Sequence, residues 1–230
     1  MLIPRPSAAR GGFDFGWIKT RHTFSFGDYH DRNWMGFRSL RVINEDRVAP
    51  HTGFGEHGHR DMEIITVMLS GVLTHGDSLK NRQTLQVGEI QRMTAGKGIL
   101  HSEMNEGDEP VHLLQIWIQP GEKGLAPDYE QMVFPQMGEA GFHPLVSGRG
   151  RQGTLVMHQN AELFRAVLAA GGELVHKLEP ERHGWVQVIK GPLRVNGELF
   201  QAGDGIGLGG EDRIHLSADG EADALVFDLS

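Results

Sequence analysis

The sequence predicts an all-β protein of two similar β domains. Three observations carry this. Short apolar runs alternate with turn signals along most of the chain, the pattern of a sandwich or barrel and not of a parallel α/β sheet. Glycine is abundant, 32 of 230 residues, and is spread throughout. A segment of the first half also recurs in the second. Val67-Met68-Leu69-Ser70-Gly71-Val72-Leu73 lines up with Gln187-Val188-Ile189-Lys190-Gly191-Pro192-Leu193, and each copy reaches a Gln-x-Gly-acid turn, Gln86-Val87-Gly88-Glu89 and Gln201-Ala202-Gly203-Asp204.

The elements follow in order. The first 37 residues read as irregular, with one or two short strands between Trp17 and Phe26. Aromatics recur there (Phe24, Phe26, Tyr29, Trp34, Phe37) and are read first as core packing, second as the wall of a substrate pocket. Ser39–Val48 is a strand with Leu40 and Val42 inward, and Pro50–Gly55 a turn-rich approach to the next one. Strands are expected at Glu63–Leu69, Val72–His75, Thr84–Val87, Ile90–Met93, Ile99–Asn105 and Val111–Ile118. From Gly121 to Gly153 prolines and glycines suggest a connector with at most one short element, and the domain boundary is placed there, giving domains 1–133 and 134–230. Strand patterns resume at Thr154–His158, Glu162–Ala169, Glu173–Leu178, Trp185–Ile189, Leu193–Val195, Ile206–Leu208, Arg213–Leu216 and Ala224–Leu229. Ala161–Ala170 has helical propensity but is read as a strand.

Composition narrows the function classes. Hydrophobic content of 39% and charged content of 23% are those of an ordinary globular protein. A net charge of −8 argues against direct nucleic-acid binding. With no cysteine, thiolate metal sites, iron–sulfur clusters and thiol nucleophiles are excluded. Neither a signal-peptide pattern nor a membrane-spanning run is seen, so a soluble cytoplasmic protein acting as a monomer is expected.

Chemistry concentrates in two pairs. His57-Gly58-His59 and His101-Ser102-Glu103 each place two side chains on one face of an extended strand, where successive residues alternate. On neighbouring antiparallel strands the pairs can converge, offering three imidazoles and a carboxylate to a divalent transition metal, with coordination positions left for substrate or dioxygen. A single His is more often a hydrogen-bonding residue, but two such pairs about forty residues apart favour a metal. Glu63 competes with Glu103 for the carboxylate place. His51, His75 and His112 have no evident same-face partner, and Gln115 and Glu63 are candidates for orienting the ligands. Because ligating histidines must be neutral, acid is expected to release the metal as pH falls through about 6.5. In the second copy of the repeat the corresponding positions hold Lys177 and Glu179, so the C-terminal domain is expected to lack the ligands.

Extended agreement then identifies a family. His22-Thr23-Phe24-Ser25-Phe26, Met35-Gly36-Phe37, Leu40-Arg41-Val42-Ile43-Asn44, Gly53 through Glu63, Met93 through Glu103 and Gln115-Ile116-Trp117 resemble the pirin family of the cupin superfamily. Gly58 stands where a proline is usual. The resemblance implies a bicupin of two jelly-roll barrels with one metal, most often Fe(II) (Cu, Ni, Mn or Zn as alternatives), in the N-terminal barrel. Its ligand pattern falls on His57, His59, His101 and Glu103, which favours Glu103 over Glu63. It implies a quercetin 2,3-dioxygenase-like activity on an aromatic substrate with O2 and release of CO, with Glu103 as base. Its alternative is a non-enzymatic, metal-dependent regulator that binds a protein partner.

Overall fold

The computed structural model describes residues 1–230. Contacts divide the chain into two units, Gly11–Phe134 with Leu155–Gln159, and Met1–Arg10 with Pro135–Thr154 and Asn160–Ser230. We call them the N- and C-terminal units. The boundary falls at 134/135, and the units depart from a single cut in two further places. The first ten residues count with the C-terminal unit because Leu2–Arg5 pairs antiparallel with Gly205–Leu208, and Ser7 N donates to Asp204 Oδ1 at 2.7 Å. The segment Leu155–Gln159 counts with the N-terminal unit, where Gly121 N donates to His158 O at 2.7 Å and Gln159 Nε2 to Gln119 O at 2.8 Å.

The N-terminal unit is built on two sheets. The large one runs Asp128–Val133, Glu89–Thr94, Glu63–Ser70, Val111–Ile118, Leu40–Val48, Ile18–His22, Gly11–Asp14. The small one runs Thr52–His59, Ile99–Asn105, Val72–Asp77, Arg82–Gln86. Ile18, Val48, Met68, Val111 and Leu113 of the large sheet pack with Leu73 and Leu85 of the small one, so the core lies between them. In Ile18–His22 and Ile99–Asn105 buried residues alternate with more exposed ones, as sandwich strands with one covered face require. The C-terminal unit repeats the plan. Its large sheet contains, in order, Leu2–Arg5, Gly205–Leu208, His183–Lys190, Ala222–Leu229, Ala161–Leu168 and Gly141–Ser147, and its small one Glu173–Lys177, Arg213–Ser217, Leu193–Val195, Glu198–Phe200.

The repeat has a geometric basis. The two hairpins turn at Gly71 (φ +78°) and Gly191 (φ +76°), a backbone region that a side chain disfavours. A Cβ on Gly71 would also stand 2.9 Å from Val111 Cγ2. The Gln-x-Gly-acid turns match in detail. Gln86 N donates to Glu89 Oε2 and Gln201 N to Asp204 Oδ2, both at 2.9 Å.

Three expectations change. The stretch from Gly121 to Gly153 holds two strands, Asp128–Val133 and Gly141–Ser147, although its prolines and glycines suggested a connector. Both have partners that supply the order, Glu89–Thr94 for the first and Ala161–Leu168 for the second. Pro50–Gly55 is not only an approach, because the strand Thr52–His59 begins inside it. The N-terminal segment holds three strands, Leu2–Arg5, Gly11–Asp14 and Ile18–His22. Ala161–Leu168 is a strand, and tertiary pairing overrides its helical propensity.

Candidate metal centre

His57 and His59 lie on Thr52–His59, and His101 and Glu103 on Ile99–Asn105. These strands pair antiparallel with His101 opposite His57. The register shifts between His101 and Glu103, so that Glu103 stands opposite Phe54. Such a bulge turns the strand locally and re-aims its side chains. On its other edge the same strand places His101 opposite Asp77 and Glu103 opposite His75.

The side chains converge. Ligand atoms of His57, His59 and His101 lie within 4.8 Å of one another, and so do those of His75, His101 and Glu103. His57 Nε2 and His101 Nε2 are 3.1 Å apart. Two nitrogens each about 2.1 Å from one ion, subtending a near-right angle, stand roughly 3 Å apart. His57 Nδ1 donates to Gly55 O at 2.8 Å, which leaves the Nε2 lone pair available, the arrangement that ligating histidines use. The residues present therefore fit a divalent metal.

Electrostatics point the same way. Burial first, then its histidine neighbours, depress His59 to about 4 and His101 to about 2, so both imidazoles are neutral at physiological pH. Glu103 is 2% exposed, and burial pushes its carboxyl up to about 7, with the Asp46 charge adding to the rise. Three donors oppose that rise. Thr66 Oγ1 and Gln91 Nε2 donate to Oε1 at 3.2 and 2.7 Å, and Gln115 Nε2 donates to Oε2 at 2.8 Å.

Two sequence expectations need correction. Glu63 does not share a strand with His57 and His59, because the chain turns between them at Asp61 (φ +49°). Its Oε2 accepts from Thr94 Oγ1 at 2.9 Å and its Oε1 lies 3.5 Å from His158 Nδ1, so it anchors that segment instead of orienting a ligand. Gln115 does hold Glu103, as anticipated. His75 does have a same-face partner, Asp77, two residues on. His75 Nε2 is 3.0 Å from Asp77 Oδ2, and its ring stacks on Tyr129 at 4.4 Å. The H-x-D spacing carried that signal. His51 and His112 lie elsewhere, paired with Asp108 and Glu45.

The imidazoles and Glu103 line a cavity of about 530 Å³ walled by Phe13, Phe15, Trp17, Phe26, Phe54 and Trp117. The Trp117 ring meets His59 edge-on at 4.8 Å. Of the recurring aromatics, Phe26 joins this wall while Phe24 is fully buried core. Phe13, Phe15 and Phe54 carried no sequence signal, since an aromatic in a short strand reads equally well as packing.

Two sandwich units on one strand plan, one of them gathering imidazoles and a carboxylate at the floor of a cavity, are the hallmark of a two-domain cupin. Known proteins narrow this further. The chain belongs to the pirin family: residues 5–118 match Pirin, and residues 144–229 match the quercetinase C-terminal cupin domain. It is 43% identical over 230 residues to the quercetin 2,3-dioxygenase of Escherichia coli strain K12, covering 100% of this chain and 99% of the relative. A pirin-like protein of Caulobacter vibrioides is 38% identical over 232 residues, with 100% of each covered. Among solved structures, the bacterial pirin YhhW of Escherichia coli in complex with nickel(II) matches with a TM-score of 0.95 at 43% identity, covering 100% of this chain and 99% of that one.

Proposed function

We propose that the chain is a metal-dependent dioxygenase of the quercetinase type, with one divalent ion held by His57, His59, His101 and Glu103. The observation that carries this is three convergent imidazoles, His101 among them close to the buried Glu103 carboxylate, lining an aromatic cavity. The names of the relatives support the reaction class, and nickel(II) in the Escherichia coli pirin supports a divalent ion. Fe(II) is the ion the family resemblance suggests.

A bound transition metal would supply Lewis acidity toward the flavonol hydroxyl and a redox partner for dioxygen. The chain's own residues do the rest. The cavity, within the ~300–1,000 Å³ of small-molecule sites, offers a planar aromatic a place between its rings. Glu103 takes the proton of the substrate hydroxyl on a carboxylate oxygen. Its burial raises its affinity for a proton above that of an exposed carboxylate, which favours this uptake. Gln91, Gln115 and Thr66 fix its orientation, and Tyr129 braces Gln91 by donating to its Oε1 at 3.2 Å. The overall change breaks two carbon–carbon bonds of the central ring. Both atoms of O2 enter the ester product, one ring carbon leaves as CO, and no external reductant is consumed.

The test mixes metal-loaded protein, prepared without oxygen, with quercetin and then air. Loss of the flavonol absorbance with one CO per flavonol is expected. An unchanged spectrum at confirmed metal occupancy contradicts the reading.

A further inference from the structure

The large sheet of the N-terminal unit carries a continuous polar row across its strands. His22 stands opposite Asn44, Asn44 opposite Gln115, Gln115 opposite Thr66, Thr66 opposite Gln91 and Gln91 opposite Gln131. The C-terminal unit has the same strand order, and its corresponding row is apolar. Pro144 stands opposite Phe164, Phe164 opposite Val226, Val226 opposite Val186, Val186 opposite Ile206 and Ile206 opposite Pro4. The fold therefore does not require polar residues here. Burying them without partners costs free energy, so the row calls for a function.

One half of the row has an evident use, since Thr66, Gln91 and Gln115 Nε2 hold Glu103. The other half does not. Asn44 Oδ1 and Gln115 Oε1 of the row, and Thr20 Oγ1 and Trp117 Nε1 on its strands, are buried polar atoms without a hydrogen-bond partner, and all four residues line the aromatic cavity. Asn44, Thr20 and Gln115 are 4%, 6% and 8% exposed. Two of these atoms are carbonyl acceptors, the threonine hydroxyl donates or accepts and the tryptophan N–H donates, so the surface is matched to hydroxyl groups, which do both. Asp46 and Glu103 line the same cavity, and their carboxylates disfavour a ligand with a carboxylate or phosphate of its own.

We propose that Thr20, Asn44, Gln115 and Trp117 form a hydroxyl-recognising subsite, and that the cavity selects neutral polyhydroxylated aromatics over bare aromatic rings. The proposal deepens the flavonol reading and rests on it for the position of the substrate's reacting end. Hydroxyl groups other than the one facing the metal donate to Asn44 Oδ1 and Gln115 Oε1. A ligand lacking them leaves both acceptors desolvated, the situation in which polar sites discriminate most strongly.

The experiment measures dissociation constants for metal-loaded protein under anaerobic conditions, by tryptophan fluorescence, for quercetin and for 3-hydroxyflavone. These share the metal-facing hydroxyl and ketone and differ in the remaining hydroxyls. Quercetin is expected to bind at least about tenfold tighter to the wild type. The ratio should shrink severalfold in Asn44→Leu and in the near-isosteric Thr20→Val, with metal content unchanged. A ratio near one in the wild type, or one that neither variant alters, overturns the subsite. Admitting air separates the two ideas. Turnover of both compounds without preference refutes the subsite and leaves the dioxygenase reading standing. Preferential binding without oxygen-dependent loss refutes the dioxygenase and leaves the subsite. Binding of neither compound refutes both.

Discussion

At the scale of single residues, burial decides the character of the centre. An isolated imidazole protonates near 6.5, which would set the pH of metal loss. His59 and His101 are depressed well below that, so with the proposed ligation protons would compete with a metal at these imidazoles only in stronger acid. The sign for folding follows. A depressed histidine contributes stability that is complete above 6.5 and is lost as pH falls, through about 4 for His59. Glu103 runs oppositely, contributing below its ordinary 4.5 and losing that contribution as pH rises through about 7. A cation compensates an ionised Glu103. The thermal midpoint gained on adding metal should therefore grow between pH 5 and pH 8, as calorimetry on metal-free and loaded protein can measure. A gain that shrinks over that range would contradict the assignment of Glu103. His57, His59, His101 and Glu103 could be singled out in sequence because strand alternation converts i, i+2 spacing into a shared face, but the preference for Glu103 over Glu63 came from the family resemblance and not from spacing. Glu63 was misplaced because the turn at Asp61 resets that alternation, and one non-glycine residue at positive φ leaves no periodic trace.

Strands and turns show where local sequence suffices and where it does not. The central strands were readable because apolar runs bounded by turns leave few alternatives. Glu63–Ser70 is buried at six successive positions, as befits a strand with neighbours on both edges and cover on both faces. Edge and near-edge strands were not readable. Leu2–Arg5, Asp128–Val133 and Gly141–Ser147 contain proline or glycine or expose much of their surface, and pairing with a distant strand determines them. The hairpin glycines are the sharpest sequence signals. Gly71→Ala forces a side chain into a left-handed backbone and against Val111, and should cost roughly 1–3 kcal/mol in urea unfolding. A loss below ~0.5 kcal/mol would mean that the hairpin relaxes freely.

For the whole molecule, duplication has separated structure from chemistry. Both units use one strand order, yet the row that is His22–Asn44–Gln115–Thr66–Gln91–Gln131 in one is Pro144–Phe164–Val226–Val186–Ile206–Pro4 in the other. Phe164, Val186, Val226 and Ile206 belong to a continuous apolar core. The sequence repeat revealed the duplication, but only strand register shows that the polar residues form a line, because its members come from six separate strands. The chain also closes on itself. Leu2–Arg5 occupies a sheet edge of the C-terminal unit beside Gly205–Leu208. Deleting residues 1–10 should speed amide exchange across Gly205–Leu208 and leave exchange in Ile99–Asn105 unaltered. Equal protection of Gly205–Leu208 in both forms would show that this pairing adds nothing to the unit's stability.

On the proposed ligation, His57, His59, His101 and Glu103 hold one ion against the aromatic cavity. Anomalous diffraction at the metal's absorption edge, from crystals of loaded protein, tests it most directly. A single peak about 2.0–2.2 Å from one nitrogen of each histidine and from a Glu103 oxygen, absent in His101→Ala, is the predicted result. A peak away from these atoms, or one of full height in His101→Ala, would contradict the account.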